Sequence, residues 1–251
     1  MPSLPSDPVE RVETMLDAVV DAKPGGSRRP GQVEMARAVA SALEDDSHLL
    51  CEAGPGTGKS FGYLLPAISS GKKVIVSTAT KSLQDQLATR DLPFLAEVLE
   101  PLGIRFAWAT IKGRQNYLCL SKLEEHREGD ESQGGLFDEP VDDSDLMGLL
   151  LEWAEVHETG DRDDLPTAVP DDLWAEVSVS GMECPGKEEC PQGAECFAMA
   201  AFDRAATADI VVVNHHLYGA GMALEGGLLP EHDVVIFDEA HRLEDTMASA
   251  L

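Results

Sequence analysis

Val9, Val12, Met15, Leu16, Val19 and Val20 recur at helical spacing. A start signal precedes them: Asp7 at the N-cap, Pro8 at the first helical position and Glu10 three residues after the cap. Lys23-Pro24-Gly25-Gly26-Ser27 breaks the pattern, and Val33, Ala36, Val39, Ala40 and Leu43 mark a second helix. Beyond that the period changes. His48–Cys51, Val74–Ser77, Arg105–Trp108, Ile210–Val213 and Val234–Phe237 are short apolar runs that predict buried strands, with helical stretches such as the one around Leu83 and Leu87 between them. Apolar strands alternating with helices predict an α/β fold with a mostly parallel sheet covered on both faces.

Between about residues 119 and 199 the alternation stops, which predicts an insertion into the α/β domain. The expected organisation is therefore 1–118, an inserted 119–199, and 200–251. Within the insert, Glu128 to Asp143 carries seven acids around Gly134-Gly135 and predicts a solvated loop. The insert as a whole is expected to be loop-rich with little core of its own, apart from local packing around Trp153 and Trp174.

Composition changes this picture little. Of 251 residues 43% are hydrophobic and 26% charged, as in an ordinary globular chain. No apolar run approaches the roughly 18 residues of a membrane span. The N-terminus has neither a basic region nor an apolar stretch of signal-peptide type, so a cytoplasmic protein with no membrane partner is expected. The net charge of −27 argues against a general polyanion-binding coat. That charge is uneven, however. Residues 124–176 hold 19 acids against Arg127 and Arg162, whereas residues 59–122 hold nine bases and four acids. The total therefore does not exclude a nucleic-acid partner.

Two segments carry chemistry. Ala53-Gly54-Pro55-Gly56-Thr57-Gly58-Lys59-Ser60 follows a predicted strand and opens a predicted helix. Glycines there let backbone N–H groups curl around phosphate oxygens, and the helix N-terminus favours the anion. Lys59 is placed to reach the β- and γ-phosphates and Ser60 to put its hydroxyl on Mg²⁺. Ala53 stands where the usual pattern has Gly. The second segment, Val234 to Phe237 followed by Asp238-Glu239-Ala240-His241, is an apolar strand ending in two carboxylates. In a nucleoside triphosphatase the first holds Mg²⁺ and the second orients or deprotonates the attacking water.

Five cysteines are present, Cys51, Cys119, Cys184, Cys190 and Cys196, an odd number that argues against a disulfide framework. Cys51, among apolar residues, is expected to be a small buried side chain. The other four fit either a zinc site or an iron–sulfur cluster by spacing alone. The adjacent His215 and His216 are expected in a turn near the cleft.

The phosphate loop and Asp238-Glu239-Ala240-His241 together resemble the DEAH-type helicases of superfamily 2. Further matches narrow the resemblance to the DinG-type, XPD-like iron–sulfur DNA helicases. Arg29-Pro30-Gly31-Gln32 is similar to the motif whose Gln hydrogen-bonds adenine. Ser77-Thr78-Ala79-Thr80-Lys81-Ser82-Leu83-Gln84-Asp85-Gln86-Leu87 is similar to a motif that contacts the backbone of single-stranded DNA. Lys112-Gly113-Arg114-Gln115-Asn116-Tyr117-Leu118-Cys119 is similar to the entry into the cluster domain, and Ala208 to Leu217 to the strand and turn after it.

The resemblance implies a RecA-like P-loop NTPase domain interrupted by an iron–sulfur domain. It implies ATP on Gln32 and on Gly54 to Ser60, Mg²⁺ on Ser60 and Asp238, and a [4Fe–4S] cluster on Cys119, Cys184, Cys190 and Cys196. Catalysis falls to Lys59, Asp238 and Glu239, with His241 coupling the ATP and nucleic-acid sites. Thr78, Thr80, Lys112 and Arg114 are implied contacts to single-stranded or forked DNA. The whole enzyme is expected to unwind DNA 5′ to 3′. A second helicase domain is expected C-terminal to residue 251, making this chain an N-terminal portion; the alternatives are a non-catalytic nucleotide- or DNA-binding fragment and a redox-sensing cluster module.

Overall fold

The computed structural model describes residues 4–54, 56–132, 143–223 and 228–250, with backbone alone at 128–132, 143–145 and 249–250. In chain order its elements are α1 (Pro8–Ala22), α2 (Pro30–Glu44), α3 (Lys59–Ser70), β1 (Val74–Thr78), α4 (Lys81–Gln86), α5 (Leu92–Leu99) and β2 (Trp108–Thr110). There follow α6 (Leu120–Ser132), α7 (Asp143–Val156), α8 (Asp171–Glu176), α9 (Phe197–Thr207), β3 (Ile210–Asn214), α10 (His215–Ala223), β4 (Val234–Phe237) and α11 (Leu243–Ala250). A π-helical turn, Leu87–Asp91, joins α4 to α5. Among the described residues no helix is long and apolar enough to cross a membrane.

The chain divides into two compact units, residues 1–110 with 205–251, and residues 111–204. In the first, four parallel strands lie in the order β2-β3-β1-β4. The apolar runs explain the arrangement. β1 is buried along its whole length and β3 up to its last residue, as strands covered on both faces must be. Asp7 caps α1, its carboxylate accepting from Glu10 N at 2.9 Å. The stripe Val12, Met15, Leu16 and Val19 is buried in the core with Leu64, Leu65, Leu92, Leu95 and Val76. Each such side chain stabilises the fold by about 1.5–3 kcal/mol.

The expected strand at His48–Cys51 is absent. That segment has no regular structure, with Leu50 93% and Leu49 45% exposed, and Cys51 is exposed where a buried side chain was expected. The reason lies in the sheet. Among the described residues no strand pairs with the outer edge of β4, whose four residues are only half-buried, and 48–51 makes no pairing with that open edge. Another run moved: the strand expected at Arg105–Trp108 forms at Trp108–Thr110.

The second unit overturns the expectation of little core. Tyr117, Leu118, Leu123, Leu150, Trp153, Val169, Leu173, Trp174 and Phe197 are buried in one cluster, with both tryptophans inside it. Trp174 Nε1 donates to the Gln115 carbonyl at 2.8 Å, so its polar edge is satisfied. The acidic stretch 128–143 begins as the last turn of α6 and ends at the first residue of α7; its middle, 133–142, lies outside the described residues.

Candidate nucleotide-binding and hydrolysis site

Residues 51–54 and 56–58 approach α3 without regular structure, and Gly56 and Gly58 take φ of +75° and +82°. Pro55 lies outside the described residues. Two side chains from the start of α2 hold the loop: Gln32 Nε2 donates to the Gly58 carbonyl at 2.9 Å, and Arg29 donates to the Gly56 carbonyl. Thr57 Oγ1 closes the loop on the Gly54 carbonyl at 2.9 Å. A Cβ on Gly58 would stand 2.2 Å from Gln32 Nε2, so both the backbone angle and the space demand glycine. Lys59 and Ser60 are the first residues of the twelve-residue α3, whose N-terminus carries no side-chain cap. Open N–H groups, the helix dipole and the Lys59 ammonium make an anion site.

The acidic pair meets this site from β4. Asp238 N continues the ladder by donating to the Ser77 carbonyl at 2.9 Å, which seats Asp238 at 7% exposure. Its Oδ2 accepts from the Tyr63 hydroxyl at 2.8 Å and its Oδ1 from Glu239 N at 2.9 Å. The chain then turns sharply: Glu239 sits in the left-handed region at φ 58° and ψ 43°. Its Oε1 is 2.6 Å from Lys59 Nζ, a pair formed between residues 180 apart. Their hydrogen bond raises the Lys59 pKa and lowers that of Glu239. Burial pushes the Tyr63 phenol up, so it stays protonated and donates to Asp238. His241 is exposed, its Nδ1 3.4 Å from Glu239 Oε2.

The donors suit a nucleotide with its cation. The Ser60 hydroxyl and the Asp238 carboxylate are hard oxygen ligands of the kind Mg²⁺ takes. Lys59 and the loop supply the charge and N–H groups that a polyphosphate takes.

Comparison with known proteins decides the family. No family model matches the chain. The ATP-dependent helicase DinG of Mycobacterium tuberculosis is 45% identical over 247 residues, covering 93% of this chain. The ATP-dependent DNA helicase YoaA of Escherichia coli is 43% identical over 227 residues, covering 88% of it. The chain is a DinG/YoaA homologue. It spans 37% of the mycobacterial protein's length and 34% of the E. coli protein's, over their N-terminal part. A Bacillus subtilis protein described as 3′-5′ exonuclease DinG is 33% identical over 234 residues, 24% of its length.

Of the residues expected to contact DNA, Thr78 and Lys112 are buried, Arg114 is half-buried and Thr80 is exposed. Thr78 is fully buried, its hydroxyl turned inward to the Thr80 and Val213 carbonyls at 3.2 and 3.4 Å. Thr80 is exposed and caps α4, accepting from Leu83 N at 3.2 Å. Lys112 is 4% exposed, its ammonium 2.6 Å from Asp161 and 2.7 Å from Asp163. Those two hydrogen bonds overcome its burial and raise its pKa, which makes it a structural cation of the second unit. Arg114 is half-buried, Nη2 lying 3.8 Å from Met199 Sδ.

The four cysteines expected as ligands are free thiols, each half-buried. Among the described residues no group of three or more His, Cys, Asp or Glu is gathered closely enough to hold a metal ion. Local backbone bonds fix this segment: Cys184 N donates to Ser180 O, Cys190 N to Gly186 O and Gly193 N to Cys190 O. Burial raises the Cys119 thiol pKa, and Cys190 and Cys196 add to the rise. Sequence reasoning missed Tyr63, which sits at helical spacing after Ser60 and holds Asp238. Its apolar surroundings on α3 gave no signal.

Proposed function

We propose that this chain is the ATP-binding and hydrolysing portion of an ATP-dependent DNA helicase. The observation that carries the reading is the convergence of Lys59 on Glu239 at 2.6 Å, which joins a phosphate loop to a carboxylate turn in one site. Gln32 holds the loop and offers its amide oxygen to the base. Lys59 and the N–H groups of Gly54 and residues 56–60 take the phosphates, and Ser60 with Asp238 would hold the Mg²⁺ that neutralises them. An arriving γ-phosphate draws Lys59 away from Glu239. That exchange removes the cation that keeps Glu239 acidic, so its carboxylate becomes the stronger base as the attacking water arrives. Ser77 to Thr80 and the exposed His241 lie at the same end of the sheet as this site, and we assign DNA contact to Thr80 and coupling to His241. Translocation 5′ to 3′ and a second motor domain complete the proposed enzyme.

Lys59→Ala tests the reading directly. Loss of a charge-assisted contact to phosphate should weaken ATP binding by about one to two orders of magnitude. It should also abolish DNA-stimulated hydrolysis in this chain completed with the C-terminal region of the mycobacterial relative. Unchanged nucleotide affinity in Lys59→Ala would remove the site assignment. Binding without turnover in the completed chain would favour a non-catalytic nucleotide-binding module.

We further propose that Cys119, Cys184, Cys190 and Cys196 hold a [4Fe–4S] cluster, supported by four free thiols in one unit and by the influence of Cys190 and Cys196 on Cys119. Such a cluster would pin the turns of residues 178–196. Protein purified without oxygen should carry about four iron and four sulfide per chain. Cys190→Ser should lose them, and stoichiometric zinc in their place would reject the cluster.

A further inference from the structure

Behind the acidic turn lies a buried polar pair. Ser77, next to last in β1, and His215, first in α10, are both fully buried, with Ser77 Oγ 2.7 Å from His215 Nδ1. Burial lowers the imidazole pKa, so the ring is held neutral. When Nδ1 takes the Ser77 hydroxyl, the ring proton resides on Nε2. That nitrogen is itself buried and makes no hydrogen bond of its own. Against its burial the ring feels hydrogen bonding to the backbones of Asp238 and Glu239 and the charge of the Asp238 carboxylate. A buried donor that lies against the backbone of a left-handed residue without a well-formed hydrogen bond calls for an explanation. Glu239 at φ 58° costs about 1–3 kcal/mol and persists only where its surroundings impose it.

We propose that His215 is a positioning residue for hydrolysis. Anchored to β1 through Ser77, it braces the Asp238–Glu239 turn in the conformation that aims the Glu239 carboxylate at the phosphate site. Two features place it between the sites. Ser77 gives its carbonyl to Asp238 N and its hydroxyl to His215, and the residues that follow it, Thr78 to Thr80, form the strand end to which DNA contact is assigned. The His215 ring lies 6.0 Å from that of Phe237, the residue before Asp238. A shift of the β1 end is therefore felt at the carboxylate turn both through the Ser77 carbonyl and through the imidazole. The inference rests on the helicase reading above.

The test compares His215→Phe, His215→Gln and Ser77→Ala in the completed chain, beside wild type and Lys59→Ala. Phe keeps the ring and removes both nitrogens, whereas Gln restores one donor and one acceptor. In His215→Phe, nucleotide affinity should stay within about twofold while DNA-stimulated kcat falls about 10- to 100-fold; His215→Gln should regain most of that loss. Ser77→Ala, a smaller change that keeps the fold if His215→Phe does not, should lower kcat about three- to tenfold at unchanged KM. Amide hydrogen exchange at residues 238–241 should quicken in His215→Phe and Ser77→Ala, a readout that needs no turnover. DNA-stimulated kcat within twofold of wild type in His215→Phe or in Ser77→Ala would overturn the proposal. Equal loss in His215→Phe and His215→Gln would also overturn it, as packing alone. A wild type without DNA-stimulated turnover, by contrast, would count against the helicase reading itself.

Discussion

Glu239→Gln should bind nucleotide more tightly than wild type while turning it over about 10²- to 10⁴-fold more slowly, the usual contribution of a general base. The slow turnover follows from losing the acceptor for the water proton. The tighter binding follows from the empty site, where Glu239 and phosphate compete for Lys59. Both partners are about one-third exposed, with side-chain exposures of 28% and 35%, so solvent screens the pair and the gain is no more than about fivefold. It should shrink as salt rises. The pH dependence has a definite sign. Lys59 holds the Glu239 carboxyl below its ordinary 4.5, so the competition persists above that pH and is lost only as the pH falls through the lowered value. Wild type and variant should therefore converge in affinity only below about pH 4.5. Equilibrium titration with a fluorescent nucleotide, with hydrolysis measured in parallel, checks both effects. Looser binding in the variant would show that Glu239 helps hold the ligand and does not compete with it.

The second large effect is expected at Gly58. Alanine there must adopt a left-handed φ of +82° and place its Cβ 2.2 Å from the Gln32 amide. The conformation alone costs about 1–2 kcal/mol, and displacing Gln32 releases the carbonyl it holds. Nucleotide affinity should fall about 10- to 100-fold, as far as in Lys59→Ala, although no charge has changed. The steric part is separable. Gln32→Ala opens the space, so Gly58→Ala with Gln32→Ala should lose less than the sum of the two single changes, a non-additivity that a double-mutant cycle reads. Strict additivity would show that Gln32 does not brace the loop.

Much of this architecture is local, and local features are what a sequence displays. The cap at Asp7, the stripe from Val12 to Val19, the runs that became β1, β3 and β4, and the glycines of the phosphate loop are contiguous patterns of a few residues. Their structural outcomes match the expectation closely. Misreadings share a different cause: the deciding partner is far away in the chain. Lys112 reads as a surface cation until Asp161 and Asp163 arrive some fifty residues later. Thr78 reads as a free hydroxyl until β3 brings the Val213 carbonyl to it. Leu49 and Leu50 read as a buried strand, yet burial depends on pairing with a strand far away in the chain, and among the described residues that pairing does not form. The core of the second unit was hidden because its members come from four short helices and the turns between them, with no single strong period. His215 belongs to the same class, since its partner Ser77 lies 138 residues upstream.

The left-handed Glu239 also sets stability against activity at a single position. Asn tolerates that region better than most residues, and Gly enters it without steric penalty. Either substitution should raise the melting temperature of the first unit while removing the base. Selection for stability alone would therefore erode this site, and a thermostabilised variant chosen without an activity screen would tend to lose Glu239 first.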